Sequence, residues 1–413
     1  MSEVYDIGSK TDSNAMSRRE FIALAALMIS LVALSIDAML PALSQIGEEL
    51  GVESANDAQL IVSALFLGLA IAQMFFGPLS DSWGRKPAIY LGLVIFMIGS
   101  VVALVATDFE TMLVGRVLQG VGAAGPKVVT VAAIRDQFKG ASMARIMSSV
   151  LAVFIVVPAF APAIGQAILS FAHWRGIYVL LLIQGMIAFV WFWLRQPETL
   201  AEEHRLPFSI KRVFAAVLET VRNKSALGYT IAAGFIFGAF LGYLNSAQQI
   251  FQDMYRVGQW FPACFGGLAL TIGLASLVNG RLVERLGMFR LSLQAVIVLA
   301  ASSLVFAGLA TAFHGHPPLW TLLSFLVVAF FCIGILFGNF NALAMEPLGH
   351  IAGTASAVIA SLSTYISLVF GIGIGRAFGG TVLPLAYGMA VLASLTVPIM
   401  FWVQRNNNST PQE

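Results

Sequence analysis

The chain has 413 residues, 58% hydrophobic and only 11% charged, with a net charge of +2 and a mean hydropathy of +0.86. Soluble domains carry about 25% charged residues, so this composition excludes a soluble globular protein and reads as a membrane protein. No basic run exceeds two residues, which argues against nucleic acid as a partner, and Cys264 and Cys332, both in apolar segments, supply neither a disulfide framework nor metal-ligand spacing.

The first twenty residues are polar and read as a tail, with Ser17, Arg18 and Arg19 before the first apolar run. That run is too long for a signal-peptide core and lacks a small-residue cleavage site, so it reads as a retained first span. A helix needs roughly 20 apolar residues to cross the hydrocarbon. Twelve windows qualify: 21–43, 58–80, 88–106, 112–134, 144–170, 176–194, 226–249, 260–283, 289–312, 318–345, 353–378 and 381–403. They are called spans 1 to 12. The runs are unbroken rather than alternating, which excludes a β-barrel. The fold class is therefore an all-α membrane protein of 12 transmembrane helices.

With the N-terminus inside, 18 of the 23 basic residues fall in inner segments and only Arg175 and Arg256 in outer loops; Arg116, Lys127 and Arg376 lie within spans. This asymmetry predicts both termini in the cytoplasm. The 195–225 stretch, the longest internal polar segment, divides the chain into six-helix bundles at 21–194 and 226–403, with tails at 1–20 and 404–413. Within it, SIKRVFAAVLETV reads as a linker with a short surface helix, amphipathic enough to lie along the inner membrane face.

Span 1 ends in SIDAMLPAL, which places Asp37 in the outer half of the bilayer, roughly 24 Å from the start of the span at 1.5 Å per residue. An ionised acid there costs ~2.5–3.5 kcal/mol on insertion scales, so it must be paired, wetted or protonated. Arg116, near the outer end of span 4, lies at matched depth and is the expected partner. If the two separate during transport, Asp37 takes up a proton; when they meet again, it releases one. A static ion pair is the alternative. Lys127 follows Arg116 by eleven residues and returns to nearly the same helix face, three turns lower, beside Pro126. It either holds an anionic group of the cargo or bonds locally to backbone carbonyls. A cavity holding Arg116 and Lys127 against one acid favours anionic or zwitterionic cargo.

The loop after span 2 reads GPLSDSWGRKP and the loop after span 8 reads GRLVERLGMFR. Gly77, Asp81 and Gly84 match Gly280, Glu284 and Gly287 at a constant offset of 203. A weak repeat at half length is a transporter signature. The loop is read as a conformational latch made by Gly77, Asp81, Gly84, Arg85 and Lys86, in which Asp81 accepts from helix N-terminal amides or from an arginine.

These residues resemble the signature loop of the major facilitator superfamily. RVLQGVGAA, from Arg116, resembles the family's second motif, associated with proton transfer. PAFAPAIG, with Pro158, Pro162 and Gly165, resembles its antiporter motif, departing at Ala161 and Gln166. DAMLPAL is similar to the first-helix pattern of the Bcr/CflA-type drug-resistance branch. The resemblance implies two pseudo-symmetric six-helix bundles. It also implies a central cavity lined by spans 7 and 10, where Tyr243, Asn245, Gln249, Asn339 and Asn341 contact substrate. Phe235, Phe237 and Phe240 read as packing residues, Glu346 as interfacial, and Arg376 as reaching the headgroups. Gln59, Gln73, Gln166, Gln248 and Asn279 read as interhelical hydrogen bonds.

The reading is a monomeric, proton-coupled antiporter of a bacterial inner membrane, without cofactor or metal. It exports a small organic molecule, either drug-like or a metabolite such as a carboxylate siderophore. Proton-linked uptake of a small organic anion is the alternative. A membrane enzyme or receptor is disfavoured. No nucleophile–base pair is evident, and His173, His204, His314, His316 and His350 sit in loops or at span ends.

Overall fold

A computed structural model describes residues 16–408. The 1–15 part of the N-terminal tail and the last five residues of the C-terminal tail lie outside the described residues. Among the described residues twelve long helices coincide with the twelve apolar windows, and there is no strand. Spans 1 to 6 are Arg18–Asp37, Leu60–Trp83, Arg85–Leu104, Phe109–Gln137, Gly140–Phe171 and Arg175–Arg195. Spans 7 to 12 are Lys224–Gln248, Phe261–Leu286, Met288–Ala312, Leu319–Met345, Ala352–Arg376 and Leu383–Asn408. The linker carries one further helix, Ile210–Arg222.

Local chemistry sets the ends. Ser17 caps span 1 by accepting from Glu20 N–H at 3.2 Å, Asp108 caps span 4 through Thr111 N–H at 2.8 Å, and Asn223 caps span 7 through Ala226 N–H at 3.0 Å. Each satisfies an amide that helix geometry leaves free. The α-helix of span 1 stops at Asp37; Pro41 follows in a tight 3-10 turn, and a short helix, Leu43–Glu49, continues outward.

The half-length repeat is visible in the backbone. Spans 2 and 3 meet at Gly84 (φ 106°), and spans 8 and 9 meet at Gly287 (φ 76°). In the first half, span 4 packs on spans 2 and 3, span 1 on span 5, and span 3 on span 6. In the second, span 7 packs on spans 11 and 12, span 9 on span 12, and span 8 on span 10. Two seams join the halves: span 2 against span 11 and span 5 against span 8. Shifting each index by six exchanges these seams, as a pseudo-twofold arrangement requires.

The outer surface is apolar: Phe171, Val305, Val369, Leu277 and Leu194 are all exposed, as lipid-facing side chains must be. The linker helix buries Val213, Ala216 and Thr220 against spans 7 and 11 while exposing Phe214 and Leu218, so it carries two apolar faces. Its Glu219 Oε1 pairs with His350 Nε2, at the start of span 11, at 2.7 Å.

For orientation, the end of the bundle holding Gly84 and the linker is the basic end, and the opposite end is the far end. The far end is closed by bonds between the halves. Asn245 Nδ2 donates to Ser63 Oγ (3.0 Å), Gln248 Nε2 to Ser44 Oγ (2.6 Å) and Gln249 Nε2 to Asn56 Oδ1 (2.7 Å). Arg376 Nη2 pairs with Asp57 at 2.9 Å. Arg376 thus ties the halves together instead of reaching for headgroups, because Asp57 stands opposite it across the seam.

Candidate functional site

A cavity of about 410 Å³ lies between the halves, lined by spans 1, 2, 4, 5, 7, 8, 10 and 11. Its walls are helix stripes. Phe66, Leu69 and Gln73 come from span 2; Ala233, Ile236, Phe237, Phe240 and Leu244 from span 7; Ala360, Ser363 and Thr364 from span 11. Spacings of three and four place each set on one helix face. The polar members are Asp37, Gln73, Lys127, Asn341, Ser363 and Thr364, and phenylalanine rings and aliphatic side chains supply the rest. Concave, mostly apolar sites with a few placed polar groups are the usual form of small-molecule sites, and this volume lies within their usual range.

Asp37 is 5% exposed and lines the cavity. Among the described residues it has no ion pair or hydrogen bond to its carboxylate. The expected pairing with Arg116 does not occur here. Arg116, fully buried, donates Nε–H to the Ile61 carbonyl (2.9 Å), Nη1–H to Gln119 Oε1 (2.8 Å) and Nη2–H to the Ser35 carbonyl (2.9 Å). Gln119 in turn donates to Ser100 Oγ at 2.8 Å. The guanidinium is satisfied by carbonyls of spans 1 and 2, one of them two residues from Asp37, so depth was matched correctly and the partner atom was not. The packed elements around Asp37 present Arg116 and Lys127 from span 4, Tyr178 from span 6 and Tyr243 from span 7.

Lys127 reaches the cavity, mostly buried, and among the described residues no carboxylate lies within hydrogen-bond or ion-pair distance of its Nζ. Arg116 and Lys127 share a helix face, but Arg116 is sealed where spans 1 and 2 close over span 4, and only Lys127 opens into the cavity.

Of the other expected cavity contacts, Asn341 lines the cavity and is exposed, close to the end of span 10 at the basic end. Four are corrected in this conformation. Asn245 and Gln249 are spent on Ser63 and Asn56 at the far-end closure, where the halves already touch. Asn339 exchanges amide bonds with Asn279 at 3.0 Å each way, inside the second half. Tyr243 lies one layer behind the wall, 4.8 Å from the Phe330 ring and 5.8 Å from Phe265, with its buried hydroxyl unpartnered among the described residues. Phe237 and Phe240 line the cavity as well as pack, whereas Phe235 rests on Phe370. Ser363 and Thr364 were missed; the hydroxyl-rich run ASLSTYIS in span 11 was the available signal. Gln73 bonds Thr364 Oγ1 across the seam at 3.4 Å, the interhelical bond expected of it.

Of the motif prolines, Pro158 lines the cavity. Gly165 permits the closest approach of span 5 to span 1: a Cβ there would sit 2.0 Å from the Ala38 carbonyl oxygen, beside Asp37.

The signature loop forms a charge cluster at the basic end. Arg85 pairs with Asp81, reaches Asp136 Oδ2 at 2.8 Å and donates to Ser80 Oγ at 2.8 Å. Lys86 Nζ donates to the Trp193 carbonyl at 3.4 Å. Gly77 faces Ala357 of span 11, whose Cβ a side chain at this position would meet at 4.0 Å. The N-terminal amides of span 3 go to Glu198, which sequence reasoning passed over: Arg85 and Lys86 N–H each donate to it at 2.9 Å. A Cβ on Gly84 would lie 2.5 Å from the Glu198 Oε2, so only glycine admits this cap. Burial pushes the Glu198 carboxyl up, but N–H donation from Leu200, Lys86, Arg85 and Thr199 outweighs it and holds the group below the usual glutamate range. In the repeat, Glu284 makes no ion pair among the described residues, so the symmetry is one of backbone and not of charge pairing.

Comparison with known proteins agrees with this geometry. The family model of the Major Facilitator Superfamily matches residues 25–372. The chain is 32% identical over 353 residues to the uncharacterized MFS-type transporter YdgK of Bacillus subtilis, covering 83% of this chain and 86% of that protein. It is 29% identical over 399 residues to a bicyclomycin resistance protein homolog of Haemophilus influenzae, covering 94% and 96%. The human organic anion transporter MFSD10 (TETRAN) has the same fold, with a TM-score of 0.70 at 15% identity over 94% of this chain and 99% of that one.

Proposed function

Since the chain belongs to the Major Facilitator Superfamily and is a multi-pass membrane transporter, not an enzyme, we propose that it is a proton-coupled efflux antiporter working by alternating access. The observation that carries this reading is Asp37, an acid without a partner on the wall of the central cavity. Intramembrane acids that face a cavity mark proton and ion pathways. Cargo enters from the basic end, taken as the cytoplasmic side of a bacterial inner membrane, a reading that the excess of Lys and Arg in its loops supports. The halves then rock, the far-end bonds part, cargo leaves and Asp37 takes a proton from outside. Arg116 contributes by fixing the backbone of span 1 at Ser35, and so the position of Asp37. The cluster of Asp81, Arg85 and Asp136, already formed here within the first half, holds the loop that serves as the latch when the basic end shuts.

The cargo is a small organic molecule. The resistance-protein relative supports a drug-like compound; Lys127 supports one carrying an acidic group, as an exported carboxylate siderophore does. In proteoliposomes with an imposed pH gradient, the wild-type protein should accumulate cargo against its concentration, and Asp37→Asn should retain only downhill flux. Accumulation by Asp37→Asn at the wild-type rate with an unchanged pH response overturns the proposal. Ala161 and Gln166, where the antiporter pattern is broken, favour one second reading, uptake of an organic anion together with protons. Reversing the gradient separates the two, since only one direction drives accumulation in each.

A further inference from the structure

The geometry points to an elongated zwitterionic cargo: an apolar, aromatic-compatible body with an anionic group held by Lys127 at one end and a cationic group held by Asp37 at the other. This assignment rests on the transport reading above and narrows its cargo. Two observations carry it. Asp37 and Lys127 line one cavity with opposite charge, and neither has a charged or hydrogen-bonding partner among the described residues. Arg116, the cation expected from its depth to neutralise Asp37 from within the protein, is fully occupied by the carbonyls of Ile61 and Ser35 and by Gln119. Two unpaired charges of opposite sign on an apolar wall are costly unless the ligand pairs them.

The separation defines the ligand. Arg116 Nη2 bonds the Ser35 carbonyl, which sets it level with span 1 two residues before Asp37. Lys127 lies eleven residues further along span 4, toward the basic end. At 1.5 Å per residue, and with both side chains able to reach inward, the two charges lie on the order of 10–15 Å apart along the axis. That is too far for a direct ion pair and suits a two- or three-ring molecule charged at both ends. Between them the wall is made of Phe66, Phe237, Phe240 and Phe337, which suits a flat apolar body and not a polycarboxylate.

The arrangement also supplies a coupling rule. The cationic group of the cargo and a proton compete for the same carboxylate. When a proton arrives, Asp37 becomes the neutral acid and the ammonium group leaves with its own charge and proton intact. One positive charge is thereby exchanged for another at one site, without Arg116 moving.

The test uses the full-length protein in nanodiscs and three probes. The first is a biphenyl with an aminomethyl group at one end and a carboxylate at the other. The second is its methyl ester, a cation only, and the third is the acid lacking the amine, an anion only. The wild-type protein should bind the first probe at least about tenfold more tightly than either of the others. Lys127→Gln should reduce the first probe to the level of the ester, and Asp37→Asn should reduce it to the level of the amine-free acid. Lys127→Arg, which keeps the charge, should restore most of the affinity and shows that the cavity survives substitution. Equal binding of all three probes, or equal weakening of all three by each substitution, overturns the assignment. If the binding pattern holds while no probe moves in response to a pH gradient, the cargo class stands and proton coupling falls. If other compounds are pumped by the gradient while the pattern fails, the cargo class falls and the coupling stands.

Discussion

Asp57 and Arg376 meet at 2.9 Å between the two halves of the molecule. Around that pair, Asn56 Nδ2 donates to the carbonyls of Arg376 (3.0 Å) and Phe378 (2.7 Å), and its own Oδ1 accepts from Gln249. One short segment before span 2 thus holds the ends of spans 7 and 11. An exposed ion pair alone contributes roughly 0–1 kcal/mol. The neighbouring bonds add to it, so together they bias the equilibrium between conformers closed and open at the far end.

Arg376→Gln with Asn56→Ala should therefore move the population toward the form open at the far end, by several-fold on a scale where 1.4 kcal/mol is tenfold. Spin labels at positions 54 and 379 should report a longer distance in the double variant. An unchanged distance distribution would mean that these bonds follow closure without contributing to it.

Arg116 should behave as a structural anchor. Arg116→Met removes the charged hydrogen bonds to the buried Ser35 and Ile61 carbonyls, a loss of about 3–6 kcal/mol given ~1.5–3 kcal/mol for each. The thermal midpoint in detergent should fall accordingly. Adding Asp37→Asn should not restore it, since the two side chains are not paired here; a rescue would reinstate the ion pair expected from matched depth.

Glu198 predicts a pH dependence. Its carboxylate caps span 3 and is held below the usual glutamate range in the folded protein. A group depressed in this way contributes stability above its unfolded value, near 4.3, and loses it as the pH falls through the folded value. Thermal stability of the wild-type protein should therefore drop below about pH 4 by more than that of Glu198→Gln, and the two curves should converge at the acid end. Parallel curves would show that the carboxylate charge plays no part in the cap.

Gly165 tests the junction next to Asp37. A Cβ at this position would lie 2.0 Å from the Ala38 carbonyl oxygen and 3.2 Å from Pro41 Cγ, so Gly165→Ala must push span 5 away from span 1. Transport should fall by an order of magnitude or more while the protein still inserts, on the scale of the roughly 10²-fold that an ångström of misplacement can cost. Gly267→Ala, at a position where a Cβ meets nothing within 4 Å, is the control. Equal activity of the two variants would show that the close approach has no functional weight.

The number of spans, most of their limits and the half-length repeat were legible in the amino-acid order, although the helix of span 1 stops at Asp37, short of the end of its apolar window. So were the acid at the end of span 1 and the lysine facing inward from span 4. Each follows from local rules: a span must carry its own run of apolar residues and satisfy its own backbone hydrogen bonds, and helical periodicity places Lys127 on a face before any neighbour is known. Partnership was not legible. Arg116 turned to carbonyls, Arg376 found Asp57 more than 300 positions away, and Asn245 and Gln249 closed the far end instead of lining the cavity. These outcomes depend on which helices are adjacent and which end of the bundle is shut. A polar group in an apolar interior takes whichever complementary atom the packing brings within reach, and only the assembled tertiary structure decides which atom that is.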